Sequence, residues 1–159
     1  MNATGDELAG IVDLFGGLTR PELERALSEA AFRADGQSVD ETALETAIDD
    51  ALESFALVRY ERRHDGTRQS LLVAGPTAFP SVPEHAEDVP HILDIDRRHL
   101  DRDALGETVH GQFTEELEDA VAAGDDDRLR HLLDVSYDIE AWAPVDLAAD
   151  RDRLEATLE

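Results

Sequence analysis

The sequence predicts a mainly α fold (α+β): three helices, one β-hairpin, and then a second, helical half. Three observations predict it. Apolar residues recur at three- and four-residue spacing almost end to end. That period breaks between 58 and 73, where Val58 and Tyr60 alternate with Arg59 and Glu61, and Leu71 and Val73 with Ser70 and Leu72. Hydrophobic residues make up 42% of the 159, too many for the disordered chain that a net charge of −24 would otherwise suggest.

The first helix is expected from Asp6 to Phe15, with Leu8, Ile11, Val12 and Phe15 on one face and Gly16-Gly17 ending it. Thr19-Arg20-Pro21-Glu22 reads as a capping box that opens the second helix. Pro21 is tolerated there because first-turn amides have no intrahelical acceptor. Leu23, Ala26, Leu27 and Ala30 form its apolar face, which ends near Arg33 before Asp35-Gly36. A third helix is expected over Val39 to Phe55, capped by Ser38 with Glu41 three residues on. Its apolar stripe includes Ala43, Leu44, Ala47, Ile48, Ala51 and Leu52. The opposite face carries Glu41, Glu45, Asp49, Asp50 and Glu53, with no arginine of its own.

Asp65-Gly66 between the two alternating runs is a strong signal for a type I′ hairpin turn. It sets a register in which His64 faces Thr67, Arg63 faces Arg68, Arg62 faces Gln69, Tyr60 faces Leu71 and Val58 faces Val73. Val58, Tyr60, Leu71 and Val73 then share one face, which is expected to cover the helices.

Prolines 76, 80, 83 and 90 suggest an extended connector, pinned to a surface by Phe79 and Val82. His91 to Ile95 fits either a short strand or one helical turn. Beyond it, Leu105, Val109, Phe113, Leu117, Ala120 and Val121 repeat at helical spacing, with Asp101 as cap and Gly124 as stop. A short helix is expected over Arg128 to Leu133, and a last one opened by Trp142-Ala143-Pro144 and traced by Leu147, Leu154 and Leu158. Ala120 to Ala141 has the look of one ankyrin unit, but a single copy cannot build a solenoid, and a plain helix–turn–helix is expected. The domains are thus expected at 1–75 and 101–159, joined by a Pro-rich connector at 76–100.

Composition excludes several chemistries. The chain has no cysteine, hence no disulfide, thiolate metal site or cysteine nucleophile. All 14 basic residues are arginine, and without lysine a P-loop nucleotide site is excluded. Neither G-x-G-x-x-G nor G-x-S-x-G occurs. His85, His91 and His99, near Asp94 and Asp96, match no metal-ligand spacing and are expected to be scattered surface groups. We therefore expect no enzyme, catalytic residue, metal, cofactor or small-molecule substrate. The segment Met1 to Glu7 lacks a signal peptide's basic and apolar stretches, and no run approaches a membrane span, so a cytoplasmic protein with no membrane partner is expected.

Charge is distributed unevenly. Residues 1–55 hold 13 acidic and 3 basic side chains, and residues 101–159 hold 18 and 5. Only 56–75 is basic, with 4 arginines against 2 acids. Arg59, Arg62, Arg63 and Arg68, with His64 at the tip, are the candidate binding residues. Arg63 and Arg68 face each other, and like charges so placed destabilise a strand pair. Neutralisation within the chain, a protein carboxylate or a nucleic-acid phosphate would each relieve the repulsion. Tyr137 and Trp142 form a second candidate, either a packing anchor or a partner contact.

Three helices followed by a hairpin resemble the winged helix-turn-helix domain over Asp6 to Val73. That resemblance implies a groove-reading helix at Val39 to Phe55 and a wing at Arg59 to Arg68. The acidic third helix departs from it, because phosphate and base contacts favour Arg, Lys, Asn or Gln. The whole chain also resembles the uncharacterised small acidic proteins of halophilic archaea, with a winged-helix-like N-terminal half; this implies a cytoplasm of concentrated salt and no particular activity. The leading expectation is a non-enzymatic protein-interaction or regulatory module, binding a protein partner or a second copy of itself. The alternative is a winged-helix DNA-binding transcriptional regulator acting through the wing arginines.

Overall fold

The structure, a computed structural model, describes residues 4–35, 40–82 and 89–159. The expected cap Ser38, the helix start at Val39 and the histidine at 85 lie outside them. The described residues contain seven helices and one two-stranded antiparallel sheet, a mainly α fold. The chain divides into two compact units, residues 1–100 and 101–159, so the segment expected as a connector is counted with the first.

In the first unit, α1 (Gly5–Phe15) opens on a capping box between Thr4 and Glu7 that lies just upstream of the expected start. Gly16 ends it at φ 82°. α2 (Arg20–Asp35) begins at the expected capping box, where the Thr19 amide donates to Glu22 Oε1 at 2.9 Å and the Glu22 amide to Thr19 Oγ1 at 3.3 Å. α3 (Glu41–Glu53) is capped by Asp40, whose Oδ1 accepts from the Thr42 amide at 3.0 Å. Its buried stripe is narrower than expected, consisting of Leu44, Ile48 and Ala51, while Ala43 is exposed.

The hairpin is formed by β1 (Leu57–His64) and β2 (Thr67–Ala74) in the expected register, Arg63 opposite Arg68 and Val58 opposite Val73. Asp65 and Gly66 supply the turn at φ 52° and 77°. One expectation about its faces is corrected. The hairpin residues that join the helical core are Leu57 and Leu72, on the face opposite Val58, Tyr60, Leu71 and Val73. Val58, Leu71 and Val73 are buried as well, so the hairpin base is apolar on both sides and alternation alone does not say which side meets the helices. Leu18, between α1 and α2, pairs with Leu72 through reciprocal backbone hydrogen bonds of 3.0 and 2.6 Å.

The core of this unit joins Leu8, Ile11 and Phe15 of α1, Leu23 and Leu27 of α2 and Ile48 of α3 to Leu57 and Leu72. Each of the larger side chains contributes about 1.5–3 kcal/mol by leaving water. The stretch after β2 is held by its backbone and not, as expected, by Phe79 and Val82, which are 82% and 40% exposed. Ser81 and Phe79 donate their amides to the backbone and side chain of Asp6, and Ser81 lies against Gly10 so closely that a β-carbon there would meet its carbonyl oxygen at 2.2 Å. His91 to Ile95 is not a strand: α4 (Val89–Leu93) is a short helix beside α2, ended by Asp94 at φ 52°.

Residues 97 and 98 then tie back across the junction of α1 and α2. Arg97 donates to the Asp13 carbonyl at 2.8 Å, and the Arg98 amide to the Phe15 carbonyl at 2.7 Å. The Arg98 guanidinium takes both Glu22 oxygens, at 2.7 and 3.0 Å, and the Gly17 carbonyl at 2.9 Å. Burial pushes the Glu22 carboxyl up; hydrogen bonds from Arg98 and the Thr19 amide, with Arg98's charge, outweigh it and hold the carboxyl below its ordinary value.

In the second unit, α5 (Arg102–Ala123) runs from the Asp101 cap to Gly124 in the left-handed region, as expected. α6 (Asp126–Trp142) is longer than expected. Leu129, Leu132, Val135 and Ile139 continue one stripe, and buried Ser136 sits within it, its hydroxyl donating to the Leu133 carbonyl at 2.6 Å. Trp142 therefore ends α6 instead of opening the last helix, and α7 starts later, at Ala148–Leu158. Among the described residues no helix is long and apolar enough to cross a membrane.

Two outcomes test this packing. Gly16→Ala should lower stability by about 2 kcal/mol or more in chemical unfolding, because φ is positive and a β-carbon would lie 1.9 Å from the Arg98 carbonyl oxygen. Glu22→Gln should lower stability at neutral pH and flatten the acid limb. A depressed folded-state pKa contributes stability above the unfolded-state value, and the contribution is lost as pH falls through the folded-state value. An unchanged acid limb in Glu22→Gln would show that this ion pair contributes nothing.

Candidate functional site

The hairpin is exposed beyond its apolar base. Strand alternation puts Arg59, Glu61, Arg63 and Arg68 on one face, and Arg62, His64 and Gln69 on the other. Glu61, Arg62, Arg63 and Arg68 line an open recess of about 340 Å³. Within it Arg68 forms an ion pair with Glu61, diagonally across the strands. The repulsion between Arg63 and Arg68 is thus offset through one partner only. The Arg63 side chain has no ion-pair or hydrogen-bond partner among the described residues. Arg62 donates to Gln69 Oε1 at 2.9 Å, which fixes its stem across the ladder and leaves guanidinium donors over. His64 lies 3.5 Å from Asp65 at the turn, and Arg59 has intramolecular interactions of its own. The tip is an exposed cationic surface whose guanidinium groups can donate to carboxylate or phosphate oxygens in bidentate fashion.

The exposed face of α3 has the opposite charge. Glu41, Glu45, Asp49 and Glu53 follow one another at four-residue spacing, a single row along the helix, with Asp50 beside it. Sequence reasoning missed a cation placed there: Arg20 of α2 donates to Asp49 Oδ1 at 3.1 Å and to the Glu45 carbonyl at 3.4 Å. One arginine does not reverse the sign of a surface with five carboxylates. Arg97 and Arg98 were also missed as anchors, because their partners are backbone carbonyls and a glutamate about 80 residues away, which no spacing rule connects.

In the second unit, Trp142 is half-buried under the Arg102 guanidinium, 4.4 Å from the ring centre, and its carbonyl accepts a hydrogen bond from Arg102. Tyr137 is 55% exposed, with Arg151 stacked at 4.5 Å. Arg151 is itself locked by Glu140 at 2.7 and 3.1 Å. Its hydrogen bonds, with one from the Leu147 amide, hold the Glu140 carboxyl below its ordinary value. Trp142 thus ties α6 to the start of α5, whereas Tyr137 keeps one face open to solvent.

Both units fall within one family model, which matches residues 6–159 and is described as a family of unknown function, DUF7109. The chain belongs to the DUF7109 family. No curated protein and no solved structure matches it. Among the described residues of this DUF7109 chain, no three His, Asp or Glu side chains gather as metal ligands.

Electrostatics of the recess give a direct test. Arg63→Glu puts opposite charges where two arginines now face each other. It should raise stability by about 0.2–0.5 kcal/mol at low ionic strength, the exposure of both groups keeping the gain small. Thermal melts at low and high salt check this, and a loss of stability would contradict the assigned repulsion.

Proposed function

We propose that this chain is a non-enzymatic protein-interaction module of winged-helix architecture. Its wing, through Arg62, Arg63 and Arg68 with Arg59 and His64 beside them, receives an acidic segment of a protein partner. The observation that carries the reading is the juxtaposition within one unit of a cationic hairpin tip and a carboxylate-faced α3. An acidic peptide can dock on the first. A polynucleotide laid along α3 would bring phosphates against carboxylates, at a cost that steering by the wing does not remove. The winged-helix assignment draws support from the order of elements and from the Leu18–Leu72 backbone pair, which adds a third short extended segment beside the hairpin.

The absence of lysine and the excess of 38 acidic over 14 basic residues support a working environment of molar salt, in the cytoplasm of a halophile. At about 1 M salt the Debye length is about 3 Å, so the self-repulsion of such a surface is short-ranged. A second reading, contact with DNA through the wing alone, is favoured by the four arginines clustered at 59–68.

Fluorescence anisotropy of a labelled Glu/Asp-rich peptide and of a labelled DNA duplex, both in molar KCl, separates the two. The first reading expects the peptide to bind and Arg62→Ala with Arg63→Ala to weaken it about tenfold, with no comparable duplex binding. Duplex binding that equals or exceeds the peptide's and is lost in the same double variant would replace it with the second.

A further inference from the structure

We infer that the partner of the wing is the α3 face of a second copy of this chain, in a weak dimer where each copy's hairpin tip meets the other's α3. The inference rests on the preceding reading of the hairpin as a protein contact and names what it touches.

Charge complementarity carries it. The hairpin tip offers Arg63, whose side chain is unpartnered among the described residues, and Arg68, whose ion pair is with the single carboxylate of Glu61. The α3 face offers exposed carboxylates in a row at four-residue spacing, and Arg20 forms its ion pair there with Asp49. Both surfaces belong to the same compact unit, so every copy carries one donor and one acceptor. A two-fold arrangement uses both at once and closes, leaving no unpaired surface to propagate a chain. Wrong pairings, tip to tip or α3 to α3, set like charges against each other.

The net charge of −24 on each copy opposes this contact at a distance. Added salt shortens that long-range repulsion to a few ångströms, while guanidinium–carboxylate pairs in contact are screened much less. Association therefore strengthens as KCl rises from about 0.1 M to about 2 M. An ordinary dimer held by exposed ion pairs weakens over the same range.

Analytical ultracentrifugation of the full chain tests this with four samples: wild type, Arg63→Glu, Glu45→Arg, and an equimolar mixture of the two variants. Both substitutions are at exposed positions, and circular dichroism checks that each variant is folded. Wild type is expected to associate reversibly at high salt, and each variant alone to associate roughly tenfold more weakly. The mixture is expected to recover wild-type association within about threefold, because its swapped charges restore both contacts of the pair. A wild type that stays monomeric at every salt concentration overturns the inference. So do variants that associate like wild type, or a mixture that recovers nothing. If self-association fails these tests while the acidic peptide still binds the wing, the inference falls and the reading it rests on stands. Loss of peptide binding as well removes both.

Discussion

Glu22 sits where three stretches of chain meet, and the first unit depends on that meeting. Its carboxylate closes the cap that starts α2, accepting from the Thr19 amide, and the same two oxygens take the Arg98 guanidinium. Arg98 in turn reaches the carbonyl of Gly17 and, through its own amide, that of Phe15. Helix end, helix start and returning strap are therefore coupled through charge-assisted bonds at a site largely shielded from water. The side chains of Arg98 and Glu22 retain only 16% and 20% of their exposure. At such burial, losing one partner costs more than the pair contributes, because the remaining charge must stay half out of water. Beside this junction Leu18 pairs with Leu72, so the position of the hairpin base is bound to the geometry of the α1–α2 turn.

Much of this was legible from local chemistry. Asp65-Gly66 was enough to give the complete strand register, because a two-residue turn leaves only one pairing. Thr19 with Glu22, Asp101, and the glycines at 16 and 124 marked helix ends through mechanisms that operate within a few residues. What stayed hidden depends on distance or on degeneracy. Leu57 and Leu72 face the helices although Val58, Leu71 and Val73 offer an equally apolar face, so period alone could not choose. α6 ran past its expected end because Ser136, a polar residue, occupies a buried position by satisfying itself on the preceding turn. The roles of Arg97 and Arg98 were illegible because a bond spanning some 80 residues leaves no trace in local pattern. The candidate site was legible as a cluster of arginines, but the Glu61–Arg68 pairing and the approach of Arg20 to α3 required coordinates.

The functional reading follows from an uneven distribution of charge more than from any single group. A chain with 38 acidic residues could have scattered its arginines to neutralise them evenly. Some do so: Arg130 pairs with Asp127 and Arg153 with Glu118 on the surface of the second unit. Those at the hairpin tip are instead gathered where two of them oppose each other. Surface pairs of the first kind contribute little to stability, whereas the second arrangement carries a like-charge repulsion that Glu61 offsets through Arg68.

Gly10 illustrates how tertiary contact can invert a local preference. It lies in the middle of α1, where glycine is the costliest ordinary residue and alanine the best. Yet the backbone of Ser81 passes so near that a single added carbon would collide with it. The helix thus accepts a poorer former so that the stretch following the hairpin can lie flush on its surface. Sequence optimisation guided by helix propensity alone would choose alanine at this position and pry that segment loose.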